Sequence, residues 1–492
     1  MQENNRQEKK LPDLKKINDA EWIIEKGYKK GMNVPAKIFA TEELIKDMDY
    51  SVFDQITNVA SLPGIINYAY CMSDAHSGYG FPIGGVAAFD AETGIISPGG
   101  IGFDINCGMR LVLTNLTIDQ VQPKLRTLID TLFKKIPAGV GGKGILRLEE
   151  KDFRELVEKG SKWCVEKGYG WEDDLEKTEE HGCMEGADSK KCSQKAISRG
   201  LNQVGTLGSG NHYLEIQVVK EENIYDKEAA KKLGIFPNQV VVMFHCGSRG
   251  FGHQVASDYL QSFLKVMEPK YNLKILDREL SCAPFKSQDG QDYFSAMKCA
   301  VNMAFANRQV ILHRIREVFS EIFGKDAKDL GMKMVYDVAH NIAKLEKHIV
   351  DGEEREVLVH RKGATRAFGP GRVEVPEVYR DLGQPVIIGG SMETGSYLLL
   401  GTKEAENMTF GSTAHGAGRA MSRAQAKRQW HGKTLQKDLE KKGIYIKTTS
   451  FQGLAEEAGG AYKDIDKVIK STKLAGLSKP VVKLLPIGNI KG

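Results

Sequence analysis

The spacing of apolar positions changes along the chain, and these changes predict a mixture of helices and strands. Apolar residues recur at helical spacing over residues 118–135 and 293–323, which predicts an amphipathic helix and a second, longer helix. A continuous apolar run at 240–244 predicts a buried strand that ends at His245, and short β-like segments dominate 334–400. Strands and helices do not alternate as regular βαβ units, so we expect an α+β fold.

Other segments are less periodic. Residues 80–89 and 109–114 are predicted to be strands on either side of a glycine-rich turn. Residues 145–200 are charged, which predicts helices and a long surface loop around 172–191. Residues 1–50 are polar, and we expect them to form a partly helical N-terminal extension.

Basic residues are concentrated towards the C-terminal end. Nine Lys or Arg occur between residues 419 and 447, against only Asp438 and Glu440. We expect a basic helical segment here, with residues 419–442 in helix. Its charges are consistent either with a solvated helix face or with a surface that binds a polyanion.

The overall composition is that of an ordinary globular protein. The chain has 492 residues, of which 41% are hydrophobic and 27% charged, and its net charge of +5 does not by itself indicate nucleic acid. The longest apolar runs are strand-sized, so we expect no membrane span. The eight cysteines are scattered, which predicts free thiols in the cytoplasm. No Pro/Ser-rich linker divides the chain, so we expect one large domain over 1–492, and we expect a monomer.

Glycine is the unusual component, at 52 residues, and many glycines stand beside residues that can bind metals. This pattern predicts an active site built on glycine-rich loops over a sheet scaffold. The clearest case is Asp104 and Cys107, which lie three residues apart in Ser-Pro-Gly-Gly-Ile-Gly-Phe-Asp-Ile-Asn-Cys-Gly-Met-Arg. A carboxylate and a thiolate on one short turn suit a borderline divalent metal such as manganese or zinc.

Histidines in similar glycine-rich settings could complete such a site. Asp104, Cys107 and His212 could hold one ion. Cys107, His245 and His340 could hold a second, with the thiolate bridging the pair. Each of these residues alone is also compatible with an ordinary core or turn position, so the hypothesis depends on their being brought together by the fold.

Common phosphate-binding motifs do not explain the chain. The triplet Gly432-Lys433-Thr434 resembles the end of a Walker loop, but Lys427 occupies the required earlier glycine position. A Gly-x-Gly-x-x-Gly pattern at 139–144 follows a predicted helix, whereas a dinucleotide-binding loop follows a strand.

Several long segments together resemble one known family, the RtcB-type RNA ligases. The resemblance runs from about residue 60 to the C-terminal Lys-Gly. Its most specific segments are Asp-Ala-His-Ser-Gly-Tyr-Gly-Phe-Pro-Ile-Gly-Gly (74–85), Ile-Gly-Phe-Asp-Ile-Asn-Cys-Gly-Met-Arg (101–110), Gly-Thr-Leu-Gly-Ser-Gly-Asn-His-Tyr-Leu-Glu (205–215), His-Cys-Gly-Ser-Arg-Gly-Phe-Gly-His-Gln (245–254), Ala-Asn-Arg-Gln (306–309), Asp-Val-Ala-His-Asn (337–341), His-Arg-Lys-Gly-Ala-Thr-Arg-Ala (360–367) and His-Gly-Ala-Gly-Arg (415–419).

The resemblance implies an activity. It implies a GTP-dependent RNA ligase that joins 3′-phosphate or 2′,3′-cyclic phosphate ends to 5′-hydroxyl ends, in tRNA splicing or RNA repair. The reaction would pass through a histidine–GMP and then an RNA(3′)pp(5′)G intermediate, with two Mn²⁺ ions. RNA is the implied partner, together with an archease-type activator. The main alternative is a two-metal RNA phosphoesterase, which would use the same ligands without His415 or Lys491. A second alternative is an RNA-binding protein without catalytic activity, which only the basic stretch 419–447 supports.

The resemblance also implies roles for individual residues. His415 is similar to the histidine that takes GMP, and the metal ligands would be Asp104, Cys107, His212, His245 and His340. Lys491 is expected to reach the guanine base, which requires an ordered C-terminal end. The implied guanylate pocket comprises Asn211, His212, Tyr213, Leu214, Glu215, His340, Asn341, Gly389, Gly390, Ser391, Met392, Ser396, His415, Gly416, Ala417, Gly418 and Lys491.

Arginines are the natural candidates for contacts to RNA phosphates, because the guanidinium fork matches phosphate oxygens. The candidates near the quoted segments are Arg199, Arg249, Arg419 and Arg423. At two positions the chain departs from the pattern of the family. Glu393 stands where many relatives have glycine, and Cys246 stands where threonine or serine is common.

Overall fold

The computed structural model describes residues 12–492. The strands are β1 (Lys15–Asn18), β2 (Glu21–Ile24), β3 (Ala36–Ile38), β4 (Ala69–His76), β5 (Ile83–Asp90), β6 (Ile95–Ile96), β7 (Gly108–Val112), β8 (Tyr213–Ile224), β9 (Val240–Cys246), β10 (Ala283–Pro284), β11 (Met334–Ala339), β12 (Asn341–Val350), β13 (Glu353–Lys362), β14 (Ala364–Arg366), β15 (Pro385–Ile388), β16 (Ser396–Gly401), β17 (Ser412–Ala414), β18 (Tyr445–Thr448) and β19 (Ser478–Lys491).

Helices lie between and around these strands. They are α1 (Glu42–Lys46), α2 (Tyr50–Val59), α3 (Ile118–Val121), α4 (Leu125–Lys135), α5 (Glu150–Lys159), α6 (Ser161–Glu166), α7 (Glu172–Glu176), α8 (Gln194–Gly200), α9 (Lys227–Lys232), α10 (Arg249–Tyr271), α11 (Gln288–Phe323), α12 (Lys403–Thr409), α13 (Arg423–Gln429), α14 (Gly432–Lys441), α15 (Phe451–Glu456) and α16 (Ile465–Leu474). Within residues 12–492, no helix has both the length and the apolar character needed to cross a membrane.

Most strands belong to two large sheets. One has seven strands in the order β1-β2-β3-β4-β5-β13-β12, and the other has eight, in the order β11-β7-β9-β8-β19-β16-β15 with β18 paired to β19. Neighbouring strands are mostly antiparallel, and the parallel pairs are β3/β4 and β18/β19. The predicted α+β class is therefore confirmed, because the parallel βαβ units of a doubly wound fold do not dominate either sheet.

Strand register in the eight-stranded sheet brings distant parts of the chain to one edge. Ala339 at the end of β11 lies opposite Gly108 at the start of β7. Gly108 in turn lies opposite Cys246 at the end of β9, and Tyr213 at the start of β8 lies opposite His245. The starts of β7 and β8 therefore lie at the same edge of the sheet as the ends of β9 and β11. Residues next to these four strand ends are close together.

Helix α11 lies beneath this edge of the eight-stranded sheet. The Ser287 hydroxyl accepts a hydrogen bond from the Gly290 N–H at 3.1 Å and caps the start of the helix, and Gly324 ends it in a left-handed conformation with φ 66°. Thirty-six residues make a helix about 54 Å long. Its middle is buried on several sides, so the polar side chains there must find partners inside the protein.

The pattern-based predictions are largely confirmed. The long helix begins at Gln288, earlier than predicted, and the amphipathic helix forms as α3 and α4 around a short 3₁₀ turn at Pro123. The predicted strands form as β5, β7 and β9, and residues 334–400 contain β11 to β16.

In the described part of the N-terminal segment, residues 12–50, the predicted helical content is present, but the expectation of an extension was wrong. This part supplies β1, β2 and β3 to the seven-stranded sheet, and α1 is its short helical portion. Ile24 and Ile38 are fully buried, and the Trp22 indole N–H donates to the Ala40 carbonyl at 2.8 Å. These strands are too short to show a period in sequence, and they are stabilised by pairing with one another and, through β3, with β4.

The surface loop predicted around 172–191 is also wrong, because it contains α7 and carries buried charges. Asp174 is 1% exposed and forms a two-bond ion pair with Arg316 of α11. Glu179 is equally buried and accepts from Lys344 at 2.7 Å. Sequence alone makes such residues look solvated, because their partners lie more than a hundred residues away.

The basic segment at 419–447 is only partly helical, because residues 419–422 form no helix, α13 and α14 are separate helices, and Tyr445 begins β18. Helices α13 and α14 are separated at Trp430 and His431. Gly432 begins α14, and a Cβ there would lie 2.0 Å from the Phe451 carbonyl oxygen. A side chain at position 432 would therefore collide with the backbone at Phe451.

Candidate metal centre and nucleotide pocket

The Asp104–Cys107 turn directs both side chains to one place. The Cys107 N–H donates to the Asp104 carbonyl at 3.0 Å, and Asn106 between them adopts a left-handed conformation with φ 52°. The Asn341 side chain also donates to the Asp104 carbonyl at 3.0 Å. The turn is thus held by its own hydrogen bond and by the chain that follows β11.

Three imidazoles converge on this turn. Cys107 Sγ lies 3.3 Å from His212 Nε2 and 3.0 Å from His245 Nε2. His212 Nε2 lies 2.9 Å from an Asp104 carboxylate oxygen, and His245 Nε2 lies 3.1 Å from His340 Nε2. The ligand atoms form two groups, Asp104/Cys107/His212 and Cys107/His245/His340, each within 4.8 Å, and the sulfur belongs to both.

The hydrogen-bond partners of the imidazoles fit metal binding. His245 Nδ1 lies 3.1 Å from the Asn211 carbonyl, which places the proton on Nδ1 and leaves the Nε2 lone pair facing Cys107. His212 Nδ1 lies between an acceptor, the Leu207 carbonyl at 3.1 Å, and a donor, Arg249 Nη1 at 2.8 Å, and its Nε2 faces the Asp104 carboxylate. The buried His340 Nδ1 has no protein partner.

Electrostatics agree with this assignment for the three imidazoles, whereas burial and the neighbouring Asp104 raise the pKa of the Cys107 thiol, which would bind as a thiolate only together with a cation. Burial is the main cause that lowers the pKa values of His212, His245 and His340, so these imidazoles are neutral. Two neutral nitrogens at 3.1 Å repel each other unless a cation or a proton lies between them. Sulfur, nitrogen and carboxylate donors in this arrangement suit a borderline divalent ion.

His415 lies beside the second group. Its ring centroid is 4.9 Å from that of His340. Its Nδ1 lies 2.6 Å from Oδ2 of Asp74 on β4, and the same oxygen accepts from the backbone N–H groups of His415 and Gly416 at 3.1 Å. Burial favours a raised pKa for Asp74, but the charge of His415 and the hydrogen bonds from His415 and Gly416 outweigh it and lower the pKa.

A cavity of about 360 Å³ opens over these residues, which is the size of a small-molecule site. It is lined by most of the residues predicted for the guanylate pocket, namely Asn211, Tyr213, Glu215, His340, Asn341, Gly389, Gly390, Ser391, Met392, His415, Gly416, Ala417, Gly418 and Lys491. The structure therefore brings together residues that are separated by up to 280 positions in the chain.

Three residues predicted for the pocket do not line the cavity. Leu214 packs in the hydrophobic cluster on the opposite face of β8, because successive side chains of a strand alternate between faces. Ser396 lies behind the pocket wall, with its hydroxyl 3.4 Å from the Gly390 N–H. His212 faces Asp104 and Cys107.

The deep end of the cavity holds the C-terminal end of β19. Lys491 is 5% exposed, donates to the Gly210 carbonyl at 3.1 Å and lies 3.4 Å from Glu457. Burial alone raises the pKa of Glu457, but Lys491, Tyr462 and Arg419 lower it to about 2. The ordered C-terminal end that the sequence predicts is thus present, and Lys491 is buried inside the cavity.

Comparison with known proteins identifies the family. The model of the family described as "tRNA-splicing ligase RtcB" matches residues 55–492. The chain belongs to the RtcB family. Relatives named tRNA-splicing ligase RtcB include those of Thermococcus kodakarensis, 53% identical over 98% of this chain and 100% of the relative, Archaeoglobus fulgidus, 52% identical over 97% and 99%, and Methanococcus maripaludis, 52% identical over 97% and 99%.

The four arginine candidates of this RtcB-family chain differ in their surroundings. Arg423 lines the cavity with a side chain that is 52% exposed. Arg419 also lines it, but its guanidinium donates to Glu457, to the Glu456 carbonyl and to the Met421 carbonyl. The other two do not line the cavity. Arg249 Nη1 lies 2.8 Å from His212 Nδ1, and Arg199 donates to Gln254 at 2.9 Å.

Residue-by-residue prediction missed several members of the site. Asp74 contacts His415, and His76, Met109, Glu457 and Tyr462 line the cavity. Asp74 and His76 stand in the 74–85 segment beside a glycine-rich stretch, as Asp104 and Cys107 do. That shared local pattern is the signal that could have found them.

The two departures from the RtcB family pattern lie outside the reacting groups. Glu393 accepts from the Gly459 N–H at 3.2 Å and from Lys442 at 2.8 Å, so it ties the 389–396 loop to α14. The Cys246 thiol faces α11 and accepts from Asn307 at 3.4 Å. Burial raises the pKa of Cys246 to about 12, which leaves it as an unreactive thiol.

Proposed function

We propose that this chain is a GTP-dependent RNA ligase of the tRNA-splicing type, with two divalent ions, Mn²⁺ by preference. Family membership and the names of its relatives support RNA joining. The observation that carries the reaction type is the position of His415, whose ring lies 4.9 Å from that of His340 within one cavity. A hydrolase with the same ligands has no need of a nucleophilic imidazole there.

His415 is the nucleophile of the proposed reaction. Its Nδ1 faces Asp74, so the lone pair of Nε2 is free to attack the α-phosphorus of GTP, and pyrophosphate leaves. Asp104, Cys107, His212, His245 and His340 would hold the two ions, which supply charge neutralisation at the phosphoryl group when bound. Asp74 stabilises the positive charge that the imidazole gains as its Nε2 bonds to phosphorus.

The later steps move the guanylyl group to RNA and then release it. An RNA 3′-phosphate attacks the guanylyl phosphorus, His415 leaves, and an RNA(3′)pp(5′)G end forms. The 5′-hydroxyl of the second RNA attacks the RNA-derived phosphorus, and GMP leaves. The junction phosphate therefore comes from the first RNA. A 2′,3′-cyclic phosphate is first hydrolysed to the 3′-phosphate.

The decisive experiment follows the guanylyl group. Incubating the chain with Mn²⁺ and α-labelled GTP is expected to label the denatured protein through an acid-labile bond, and His415→Ala is expected to carry no label. RNA with a 3′-phosphate is then expected to discharge the label and join to 5′-hydroxyl RNA. Hydrolysis of RNA phosphates without protein labelling would instead identify a two-metal phosphoesterase.

Guanine selectivity is proposed to come from Glu215 and Lys491. Guanine presents an acceptor at O6 and donors at N1 and N2, which an ammonium and a carboxylate complement. Glu215 is 2% exposed and lines the cavity, where it accepts from Gln217 at 2.7 Å and from Asn489 at 2.5 Å. Burial raises its pKa to about 7, against the opposing effects of Gln217, Lys491 and Asn489.

Glu215→Gln is expected to weaken GTP binding about 10- to 100-fold, because one hydrogen bond to a buried charged group is lost. In the unmodified chain, GTP affinity is expected to fall as the pH drops from 8 to 6, since the pKa of Glu215 is about 7 and its protonated form no longer accepts from both guanine donors. The variant should lose this dependence. Titration with a fluorescent GTP analogue measures both effects, and an unchanged pH profile in the variant would contradict the assignment.

The remaining proposals concern RNA and the cell. We propose that the exposed Arg423 contacts RNA phosphate, together with Arg199 and Arg249, and that Arg419 orients Glu457. All eight cysteines are free, which supports a reducing compartment, the cytoplasm. The proposals of a monomer and of an archease-type activator rest on the sequence and its resemblance alone.

A further inference from the structure

The Ala-Asn-Arg-Gln segment at 306–309 lies in the middle of α11 and is not explained by nucleotide or RNA contacts. Asn307 and Arg308 are both fully buried. A buried guanidinium is costly unless every donor is paired, so the contacts of these two residues describe what α11 holds in place.

Arg308 joins three separate chain segments: the turn before β7, the end of β9, and β11. Its Nη1 donates to the Asn106 carbonyl and to the Cys246 carbonyl, each at 2.9 Å. Its Nε and Nη2 donate to the two carboxylate oxygens of Asp337, each at 2.8 Å. Nη2 also donates to the Asn106 side chain at 3.1 Å.

Each partner of Arg308 stands close to a candidate metal ligand. Asn106 precedes Cys107, Cys246 follows His245, and Asp337 stands three residues before His340. The guanidinium group of Arg308 therefore fixes the relative positions of the three chain segments that carry Cys107, His245 and His340. The fit is tight, because a Cβ on Gly108 would lie 3.0 Å from the guanidinium carbon.

Asn307 holds the other ligands in the same way. Its Oδ1 accepts from the Gly205 and Thr206 N–H groups at 2.8 and 3.0 Å, and its Nδ2 donates to the Thr206 carbonyl at 3.0 Å. The next residue, Leu207, offers its carbonyl to His212 Nδ1.

Asn307 also reaches the neighbourhood of Asp104. Its Nδ2 donates to the Gly247 carbonyl at 3.2 Å. A Cβ on Gly247 would lie 2.4 Å from Oδ1 of Asp104, so the backbone at Gly247 is the surface against which that carboxylate packs.

We propose that Asn307 and Arg308 form one positioning unit, the α11 clamp, which holds all five ligands at ion-binding separation before any ion arrives. The inference rests on the proposed metal centre but goes beyond it, because neither residue can itself reach an ion or the nucleotide cavity. Partners that orient metal ligands in this way typically change metal affinity by about 10- to 100-fold when they are altered.

Arg316 offers a matched control on the same helix. It is also buried and forms a two-bond ion pair, with Asp174 at 2.6 and 2.7 Å, and it donates to the Met332 carbonyl. Asp174 and Met332 each lie at least eight residues from any candidate ligand. Arg308→Lys and Arg316→Lys each keep the positive charge and lose the planar fork.

The test is a Co²⁺ titration followed by the thiolate-to-cobalt absorption of Cys107, with thermal unfolding of the metal-free chains alongside. Arg308→Lys is expected to weaken Co²⁺ binding about 10- to 100-fold. Arg316→Lys should lower the unfolding temperature by a similar amount and bind Co²⁺ as the unmodified chain does. Equal Co²⁺ affinity in Arg308→Lys and the unmodified chain would overturn the clamp, as would an equal loss in Arg316→Lys.

A second variant covers the case in which Arg308→Lys does not fold. Asn307→Ser removes the amide without leaving a buried carboxylate unpaired, and it is expected to weaken Co²⁺ binding at the Asp104/Cys107/His212 group. Unchanged affinity in this variant would count against the clamp. If the unmodified chain itself shows no thiolate–cobalt band, the metal centre is refuted and the clamp with it. If the thiolate–cobalt band forms with unchanged Co²⁺ affinity in both clamp variants, the clamp is refuted and the metal centre is not.

Discussion

Cys107→Ala is expected to abolish binding of both divalent ions, since its sulfur is the ligand atom shared by the two groups found in residues 12–492. Without it, each group keeps only two protein ligand atoms, fewer than a tetrahedral or octahedral ion needs from this site. Manganese content, measured by mass spectrometry of the purified protein, should fall from two ions per chain to none. RNA joining should fall by at least roughly 1,000-fold, because bound ions contribute several kcal/mol to phosphoryl chemistry.

Variants of the unshared ligands make this prediction specific. Asp104→Ala should lose the first ion and keep the second, whereas His340→Ala should do the opposite. Cys282→Ala is the matched control, because it removes a thiol that is also fully buried but belongs to neither group. If Cys107→Ala retained one ion, the sulfur would not bridge the pair, and the two groups would be independent sites.

Asp74→Asn is expected to slow guanylyl transfer to the protein by roughly 100-fold or more, within the range for groups that assist a nucleophile. Three donors meet at Oδ2 of Asp74: the His415 ring and the backbone N–H groups of His415 and Gly416. The asparagine oxygen can take the same place, so the imidazole keeps its orientation. The negative charge that stabilises the imidazole as it bonds to phosphorus is lost.

Asp74→Ala should be slower still, because both the charge and the orienting acceptor are removed. Single-turnover labelling with α-labelled GTP measures the chemical step, and GTP binding measured separately should change little. Asp90→Asn is the control, since Asp90 also accepts from two backbone N–H groups, those of Glu92 and Thr93, but in a surface turn. If the Asp74→Asn variant took up the guanylyl label at the normal rate, the charge of Asp74 would not assist the transfer. Asp74 would then only hold the loop at His415 and Gly416 in shape.

Residues outside the glycine-rich loops hold much of the candidate site in place. The nucleophile is oriented from β4 of the seven-stranded sheet. The ligands sit at one edge of the eight-stranded sheet, and α11 is hydrogen-bonded to the backbone beside them. Glycine-rich loops can approach this closely because they lack side chains, and the rigid elements around them supply the precision.

Much of this protein was accessible from its sequence. Periodicity predicted α11, β9 and the mixed fold class, because a local hydrophobic pattern suffices to specify an element that buries one face. The candidate ligands and His415 were recognised from short glycine-flanked segments and from a family resemblance, and the structure brings them together. Their roles in metal and nucleotide chemistry are proposals that the variants above test.

Only the tertiary structure decided how distant segments meet. Sequence could not show that β1 to β3 join a sheet, that Asp174 and Glu179 are buried, or that Leu214 faces away from the cavity. Sequence also did not show that Asp74 contacts His415, or that Arg308 forms hydrogen bonds to the segments beside three candidate metal ligands. Local pattern determines which elements form, because it depends on near neighbours. Strand register and buried polar pairing join residues hundreds of positions apart, so they are settled only when the whole chain has packed.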